Sequence, residues 1–524
     1  MSPADVPGTP NAPNAPDAGR PAPRALLVRG GQVLTGSPPS LTRADVLVEG
    51  DRIAAIGPGV PTPEGARVLD AIGSLVLPGL VNAHTHAASH LVRGTAGDWT
   101  LEDLINHAAA SYGFRSPEDQ YLSAAIGAIE MLKTGTTAAY DLFMAVPAIT
   151  EEAIEAVVRA YADSGMRAVV APAVADVVFY QTVPGLIDLL PDDLRRTVEG
   201  MQAAPTRALL DLTETVIRRF HGAAEGRIRA AVSPTIPNQA TDEFLQGAAR
   251  LVRDYGVGVH THLAESKVQV IESARRFGKS IVGRLGDVGL LGPGFVGAHG
   301  VWLTDDDIRR LADAGAAIAH NPGSNLRLGC GIAAVREMLD RGLAIGLGTD
   351  GSVCSDNQNV FEALRFASVV STIRFPHRPE RWLGARTVWT IATAGGARVL
   401  GLTDDVGALA PGRKADLVLL HADAVFLRPM GDVLSALVYA ETGANVHTVV
   451  VDGRVVVEGG RVLTLDEARI YTRVQEAADA HRRRSAEAWA LADRLTPYLA
   501  AACRAAVARP FPVNRYAADP AGTA

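Results

Sequence analysis

Two histidines stand two residues apart, His84 and His86 in VNAHTH. His262 and Glu265 stand three apart in VHTHLAE, His299 falls in VGAHGV and Asp350 in GLGTDG. Alternate residues of a strand face the same side, so His84 and His86 project together. Imidazole suits zinc or ferrous iron. Three histidines and a carboxylate can hold one divalent ion and leave a position for water, whose pKa then falls to about 7. On this reading His84, His86, His262 and Asp350 are the ligands. Asp350 also accepts the water proton. His299 orients the hydroxide or polarises the substrate, and Glu265 protonates a ring nitrogen so that the attacked carbon becomes tetrahedral without building a ring anion. His260, one pleat deeper than His262, reads as structural or supporting. Taken singly, each motif has a plainer meaning: a core histidine, a loop carboxylate, an Asp-Gly turn. Their common position, each closing its own apolar run, favours the metal.

The elements that must carry these residues alternate. Strand-like runs fall at 78–86, 136–143, 167–174, 227–234, 257–265, 295–301, 316–322 and 344–351, with helical stretches such as PEDQYLSAAIGAIEMLKTG between them. Eight such units describe an α/β fold, a (β/α)8 TIM barrel, whose active sites lie at the C-terminal strand ends. The eighth strand closes against the first, which sets Asp350 beside His84 and His86. His320 ends the seventh run. Val/Leu-rich runs near both chain ends, with Asp452-Gly453 as a hairpin signal, suggest one small β-sandwich domain built from the two ends. The expected organisation is a disordered tail at 1–24, the N-terminal half of the sandwich at 25–78, the barrel at 79–404, the C-terminal half of the sandwich at 405–465 and a C-terminal helical extension at 466–524. The extension, Ala- and Arg-rich, reads as packing or a subunit contact.

The net charge is −7 over 524 residues, with no basic stripe, which argues against nucleic acid or an anionic membrane as partner. Three cysteines at unpatterned spacings do not suggest a disulfide framework. The first residues lack the apolar core of a secretory signal, and no run is apolar enough to span a membrane. A cytoplasmic enzyme is the expectation.

The texts PGLVNAHTH, LVRGTAGDWTLEDL, HTHLAES, AHGVWL, AHNPGSNLRLGCGIA, GLGTDGS and PGRKADLV, spread over about residues 25 to 465, resemble the amidohydrolase superfamily. The similarity is to its cytosine deaminase-like branch, which includes the S-adenosylhomocysteine/methylthioadenosine deaminases and the triazine hydrolases. The resemblance implies one Zn2+, or Fe2+ as the alternative, on His84, His86, His262 and Asp350, with Glu265 and His299 catalytic. It implies deamination of an amino-substituted N-heterocycle by a chain that forms a homo-oligomer, a dimer or tetramer. Two-metal members carry a lysine at the end of strand 4, and AAVSP here has none. Adenosyl-type deaminases have a histidine in a P-H-S-P turn where this chain reads Pro234-Thr235-Ile236-Pro237, and a ribose-gripping glutamate where it reads NHAAASYGF. Turnover of adenosyl thioethers is therefore expected to be weak or absent. Pocket candidates are His320, Trp99, Phe179, Tyr180, Thr235, Asn238 and Gln239. The alternatives are removal of chloride or alkylamine from a heteroaromatic ring, cyclic amide hydrolysis and, from another class, a non-catalytic scaffold, whose mark would be lost ligands.

Overall fold

The computed structural model describes residues 25–516, so the tail expected at 1–24 and the last residues of the extension lie outside the described residues. The chain opens with β1 (Ala25–Thr35), β2 (Ser40–Glu49), β3 (Arg52–Gly57), β4 (Arg67–Asp70) and β5 (Ser74–Pro78). Then come β6 (Leu80–Thr85), β7 (Thr136–Phe143), β8 (Arg167–Val174), β9 (Ile228–Ala230), β10 (Ser233–Pro234), β11 (Val259–Leu263), β12 (Phe295–His299), β13 (Ala317–His320) and β14 (Ala344–Leu347), with helices between. The last strands are β15 (Leu417–His421), β16 (Val446–Val451), β17 (Arg454–Glu458) and β18 (Arg461–Val462).

The central strands form two parallel sheets. One runs β10-β8-β7-β6 with β9 also on β8, and the other runs β11-β12-β13-β14. Single bridges, Val232 to Val259 and Thr85 to Asp350, connect their edges. Strands β7 and β8 are buried at every residue and are largely apolar or small, as strands covered on both faces tend to be. The interior filling is small: Ala83, Ala138, Ala171, Ala317 and Ala319 pack with Val81, Val169 and Val296. Each expected run carries a strand, but several are shorter than the sequence suggests. The fourth is broken in two around Ala231 and Val232, and the eighth ends at Leu347, so Asp350 lies on the turn beyond it.

Strands from both chain ends share one nine-stranded sheet, ordered β18-β17-β16-β15-β5-β1-β2-β3 with β4 also on β1. The pairing is continuous across both ends, because β15 lies antiparallel to β5. This sheet has its own core, including Leu26, Val28, Val46, Ile53, Leu417 and Val450. Val451 pairs with Arg454 across Asp452 and Gly453, whose φ values of 53° and 76° suit a two-residue hairpin turn.

Helices start where local chemistry supports them. Ser116 caps the helix Pro117–Lys133, accepting from the Asp119 N–H while Asp119 reaches back to the Ser116 N–H. At the C-terminal end two long helices, Glu467–Arg484 and Ala486–Val507, lie against the core units. Leu495, Leu499 and Ala502 pack with Val183, Leu186, Leu190, Leu194 and Val198 of the 175–200 segment. Each fully buried leucine there contributes about 1.5–3 kcal/mol.

Candidate active site

Six side chains predicted from widely separated motifs meet in one place: His84, His86, His262, Glu265, His299 and Asp350. All are buried. His84 and His86 extend from the end of β6. His262 leaves β11, and His299 closes β12, with Leu263 opposite His299 in the register. Asp350 reaches them because its N–H donates to the His84 carbonyl at 2.9 Å. Gly348 makes this approach feasible: a Cβ there would lie 2.2 Å from Asn321 Oδ1 and 2.8 Å from His84 Cβ. Asp350 and His299 both hold positive φ, 62° and 72°, conformations that non-glycine residues keep only when their surroundings impose them.

The donor atoms converge. Asp350 Oδ1 lies 3.4 Å from His84 Nε2 and 3.1 Å from His86 Nε2. His86 Nε2 and His262 Nε2 are 3.2 Å apart. Two nitrogens bound to one tetrahedral zinc would stand about 3.3 Å apart for Zn–N bonds of about 2.05 Å. The outer ring nitrogens are engaged elsewhere. His86 Nδ1–H donates to the Leu142 carbonyl at 2.6 Å, and His262 Nδ1–H to that of Thr235 at 2.7 Å. His299 Nδ1–H donates to Asn325 Oδ1 at 2.9 Å. These bonds set the tautomer and leave each Nε2 lone pair facing the centre. Both ring nitrogens of buried His84 lack a hydrogen-bond partner. His84, His86 and His262, and His84, His299 and Asp350, each bring their donor atoms within 4.8 Å of one another. This donor set fits a divalent cation.

Electrostatics follow from burial. Loss of water pushes His84 down to about 3, against the pull of Asp350. Burial by itself would raise the Asp350 carboxyl, yet the close ring nitrogens of His84 and His86, with the field of His299, hold it well below the usual carboxylate range. Glu265 goes the other way. Burial first, then the neighbouring Asp350 and Glu102, push it well above the ordinary value and favour its protonated form. Two carboxyls whose pKa values are driven apart are suited to opposite proton roles.

The pocket candidates divide. His320, buried at the end of β13, is pushed down to about 3 by burial and by His299. Asn238, Gln239 and Phe179 line a small cavity together with Gln269 and Glu102. Thr235 serves through its main chain, as acceptor for His262. Trp99 and Tyr180 belong elsewhere: Trp99 stacks on His107 at 4.3 Å and meets Trp489, and Tyr180 donates to Asn106 Oδ1 within the packing of the C-terminal helix. His260 sits beneath His84 against Tyr140.

Several supporting residues have no distinctive signal in the sequence. Gln358 is fully buried. It accepts from Thr85 and Thr349 and donates to the Asp350 carbonyl. Asp141 accepts from the Ala87 N–H just after His86. Glu102, inside the LVRGTAGDWTLEDL text, accepts from Ser266 Oγ at 2.6 Å.

Parallel strands delivering histidines and a carboxylate to one end define a metal-dependent hydrolase of the TIM-barrel type. Residues 75–456 match the amidohydrolase family, and the chain belongs to it. It is an enzyme acting on C–N bonds. It is 35% identical over 460 residues to a 5'-deoxyadenosine deaminase of Methanosarcina mazei, covering 87% of this chain and 98% of that one. It is 36% identical over 461 residues to a 5-methylthioadenosine/S-adenosylhomocysteine deaminase of Symbiobacterium thermophilum, covering 86% and 98%. Among solved structures, the zinc complex of atrazine chlorohydrolase from Arthrobacter aurescens TC1 matches with a TM-score of 0.78 and 28% identity, over 86% of this chain and 100% of that one.

Proposed function

We propose that this chain catalyses metal-dependent hydrolytic deamination of an amino-substituted N-heterocycle. Ring C–NH2 and water give ring C=O and ammonia. The observation that carries the reading is the convergence of Glu265 and Asp350 on one buried histidine cluster, with burial pushing the first carboxyl up and the histidines holding the second down. His84, His86, His262 and Asp350 would hold one ion, with zinc favoured by the zinc-complexed relative. When bound, that ion would acidify a water at neutral pH. Asp350 takes the proton released as the oxygen adds to the ring carbon. Glu265 gives its proton to the adjacent ring nitrogen, so the electron pair of the C=N bond ends on a neutral N–H. His299, its Nδ1–H tied to Asn325, accepts through Nε2 and so orients the attacking oxygen. The amino group then takes the proton held by Asp350 and leaves as ammonia, while the hydroxyl proton returns to Glu265 as the C=O forms.

The two parallel sheets, joined at Val232–Val259 and Thr85–Asp350, are read as one closed (β/α)8 barrel, and the terminal sheet, folded around its own core, as the small sandwich domain. The relatives named as deaminases of adenosine analogues put aminopurines first among substrates. Thr235 in place of a histidine, and no carboxylate in NHAAASYGF, support poor turnover of adenosyl thioethers. Chloride release is the second reading, favoured by the likeness to atrazine chlorohydrolase. A homo-oligomer in the cytoplasm completes the proposal; no helix among the described residues is long and apolar enough to cross a membrane. The test is an ammonia- and chloride-release screen over aminopurines, aminopyrimidines, pterins, chloro- and aminotriazines, S-adenosylhomocysteine and methylthioadenosine. Chloride without ammonia would select the second reading, and efficient turnover of either adenosyl compound would overturn the exclusion.

A further inference from the structure

One chain of hydrogen bonds leads away from Glu265 into a cavity that the chemistry above does not use. The Glu265 N–H donates to Gln269 Oε1 at 2.9 Å. That bond fixes the amide and leaves Gln269 Nε2 buried without a partner. Asn238 Nδ2 donates to the Gln269 carbonyl at 2.8 Å, which leaves Asn238 Oδ1 likewise unpartnered. Ser266, next to Glu265, donates to Glu102. Glu102, Asn238 and Gln269 are 6%, 2% and 7% exposed. All three line the same cavity, about 20 Å³ in volume, whose other walls include Phe179, Ile236 and Val268. Unpaired buried polar atoms each cost about 1–3 kcal/mol. A pocket that holds one free donor, one free acceptor and a carboxylate is a recognition surface for a group with the complementary pattern.

We infer that Glu102, Asn238 and Gln269 form a subsite for a compact polar substituent of the heterocycle, one that presents a hydrogen-bond donor beside an acceptor, such as a hydroxyl or a primary amide. A hydroxyl donates its one proton to Glu102 or Asn238 Oδ1 and accepts from Gln269 Nε2, whereas a primary amide donates to both. Because Gln269 is tied to the Glu265 main chain, a ring held by this group would present its reacting C=N edge to the proton donor. The volume fits about one water-sized group, so a bulky thioether does not enter, while an alkyl group of equal size leaves the polar atoms unpaired. The inference rests on the deaminase reading for the identity of the ring, but the binding of the substituent can be measured apart from chemistry.

The experiment compares 9-(2-hydroxyethyl)adenine with 9-ethyladenine on zinc-loaded wild type and on Glu102→Gln, by calorimetric binding and by ammonia release. Wild type should bind the hydroxyethyl compound about tenfold more tightly, the scale of one buried hydrogen bond. Glu102→Gln should erase that preference and leave the Kd of the ethyl compound within about twofold. Asn238→Leu keeps the carboxylate and should reduce the preference in the same direction, which provides the answer if Glu102→Gln fails to fold. Tight, selective binding with no ammonia would sink the deaminase reading and leave the subsite standing. Equal affinity for the two compounds, binding of neither, or a preference that survives both substitutions would overturn the subsite. So would an equal loss of kcat on both compounds in Glu102→Gln, since that is the signature of a residue that only positions Glu265.

Discussion

Glu265 and Asp350 share one small volume and are pushed in opposite directions by different causes, burial for the first and histidine contacts for the second. Exchange of the two roles should therefore be impossible by simple substitution. Glu265→Gln preserves shape and the histidine cluster but removes the proton. We expect metal content to stay at the wild-type value while kcat falls about a hundredfold or more, the scale of general-acid catalysis. Retention of near wild-type kcat would return Glu265 to the status of a buried structural acid. Elemental analysis should show about one zinc or iron per chain, and His262→Ala should lose it, because three donors remain where four are needed. Two tightly held ions per chain would contradict the single donor set. At this scale the sequence is informative where chemistry and spacing coincide. His84 and His86 announce themselves through the two-residue strand period. Glu102, Asn325 and Gln358 do not, because an isolated Glu, Asn or Gln in a polar stretch looks the same whether it faces solvent or ends up sealed against a distant partner.

Between elements, one of the two single-bridge seams between the parallel sheets is also the place where the ligands meet. Thr85 and Asp350 are joined by a single bridge, and Gln358 ties both sides of it. Gln358→Ala should leave Asp350 at its strained φ with one fewer constraint. We expect zinc affinity to weaken about 10- to 100-fold, the scale seen when residues behind a ligand are removed, with little change in the far-UV spectrum. Competition against a chromogenic chelator measures this; unchanged affinity would mean that the bridge alone suffices. Strand positions are legible because buried parallel strands read as unbroken apolar runs. Their ends are not. The runs 344–351 and 295–301 stay apolar or small past the last ladder bond, and where β14 stops depends on the turn that swings Asp350 toward β6, a tertiary event. The contacts of Trp99 and Tyr180 are not legible for a similar cause. Aromatic residues on loops look alike from the sequence whether they face a ligand or a helix, and here the helix Ala486–Val507 takes them.

For the molecule as a whole, one buried ion cluster fastens the central unit to the terminal sheet. Arg167 at the start of β8 donates to Asp416 at 3.0 and 3.2 Å and to Asp452 at 3.0 Å, and Lys414 lies 3.1 Å from Asp452. Arg167→Ala would leave the buried Asp416 without its ion-pair partner and should destabilise the fold by about 3–5 kcal/mol, read as a shift in the denaturation midpoint. The same cluster gives a pH dependence. Burial opposes ionisation of Asp452, but Arg167 and Lys414 outweigh it and hold the carboxyl below its ordinary value. Its contribution is therefore fully present above the unfolded value of about 4 and is lost as pH falls through the lower folded one. Denaturation midpoints measured from pH 7 down to 3 should decline, and the decline should be shallower in Asp452→Asn.

The sheet shared by both chain ends also has a temporal meaning. β5 finishes at Pro78 and its antiparallel partner β15 begins at Leu417. During synthesis at about 5–20 residues per second, one edge of β5 waits roughly 20–70 s for its neighbour to leave the ribosome. Throughout that interval a Val- and Leu-rich strand edge is open to other nascent chains on the same message. Translation speed and chaperone supply, rather than the stability of the finished enzyme, should then govern how much of it is recovered. A premature stop anywhere before Leu417 should yield aggregates in place of a smaller working barrel.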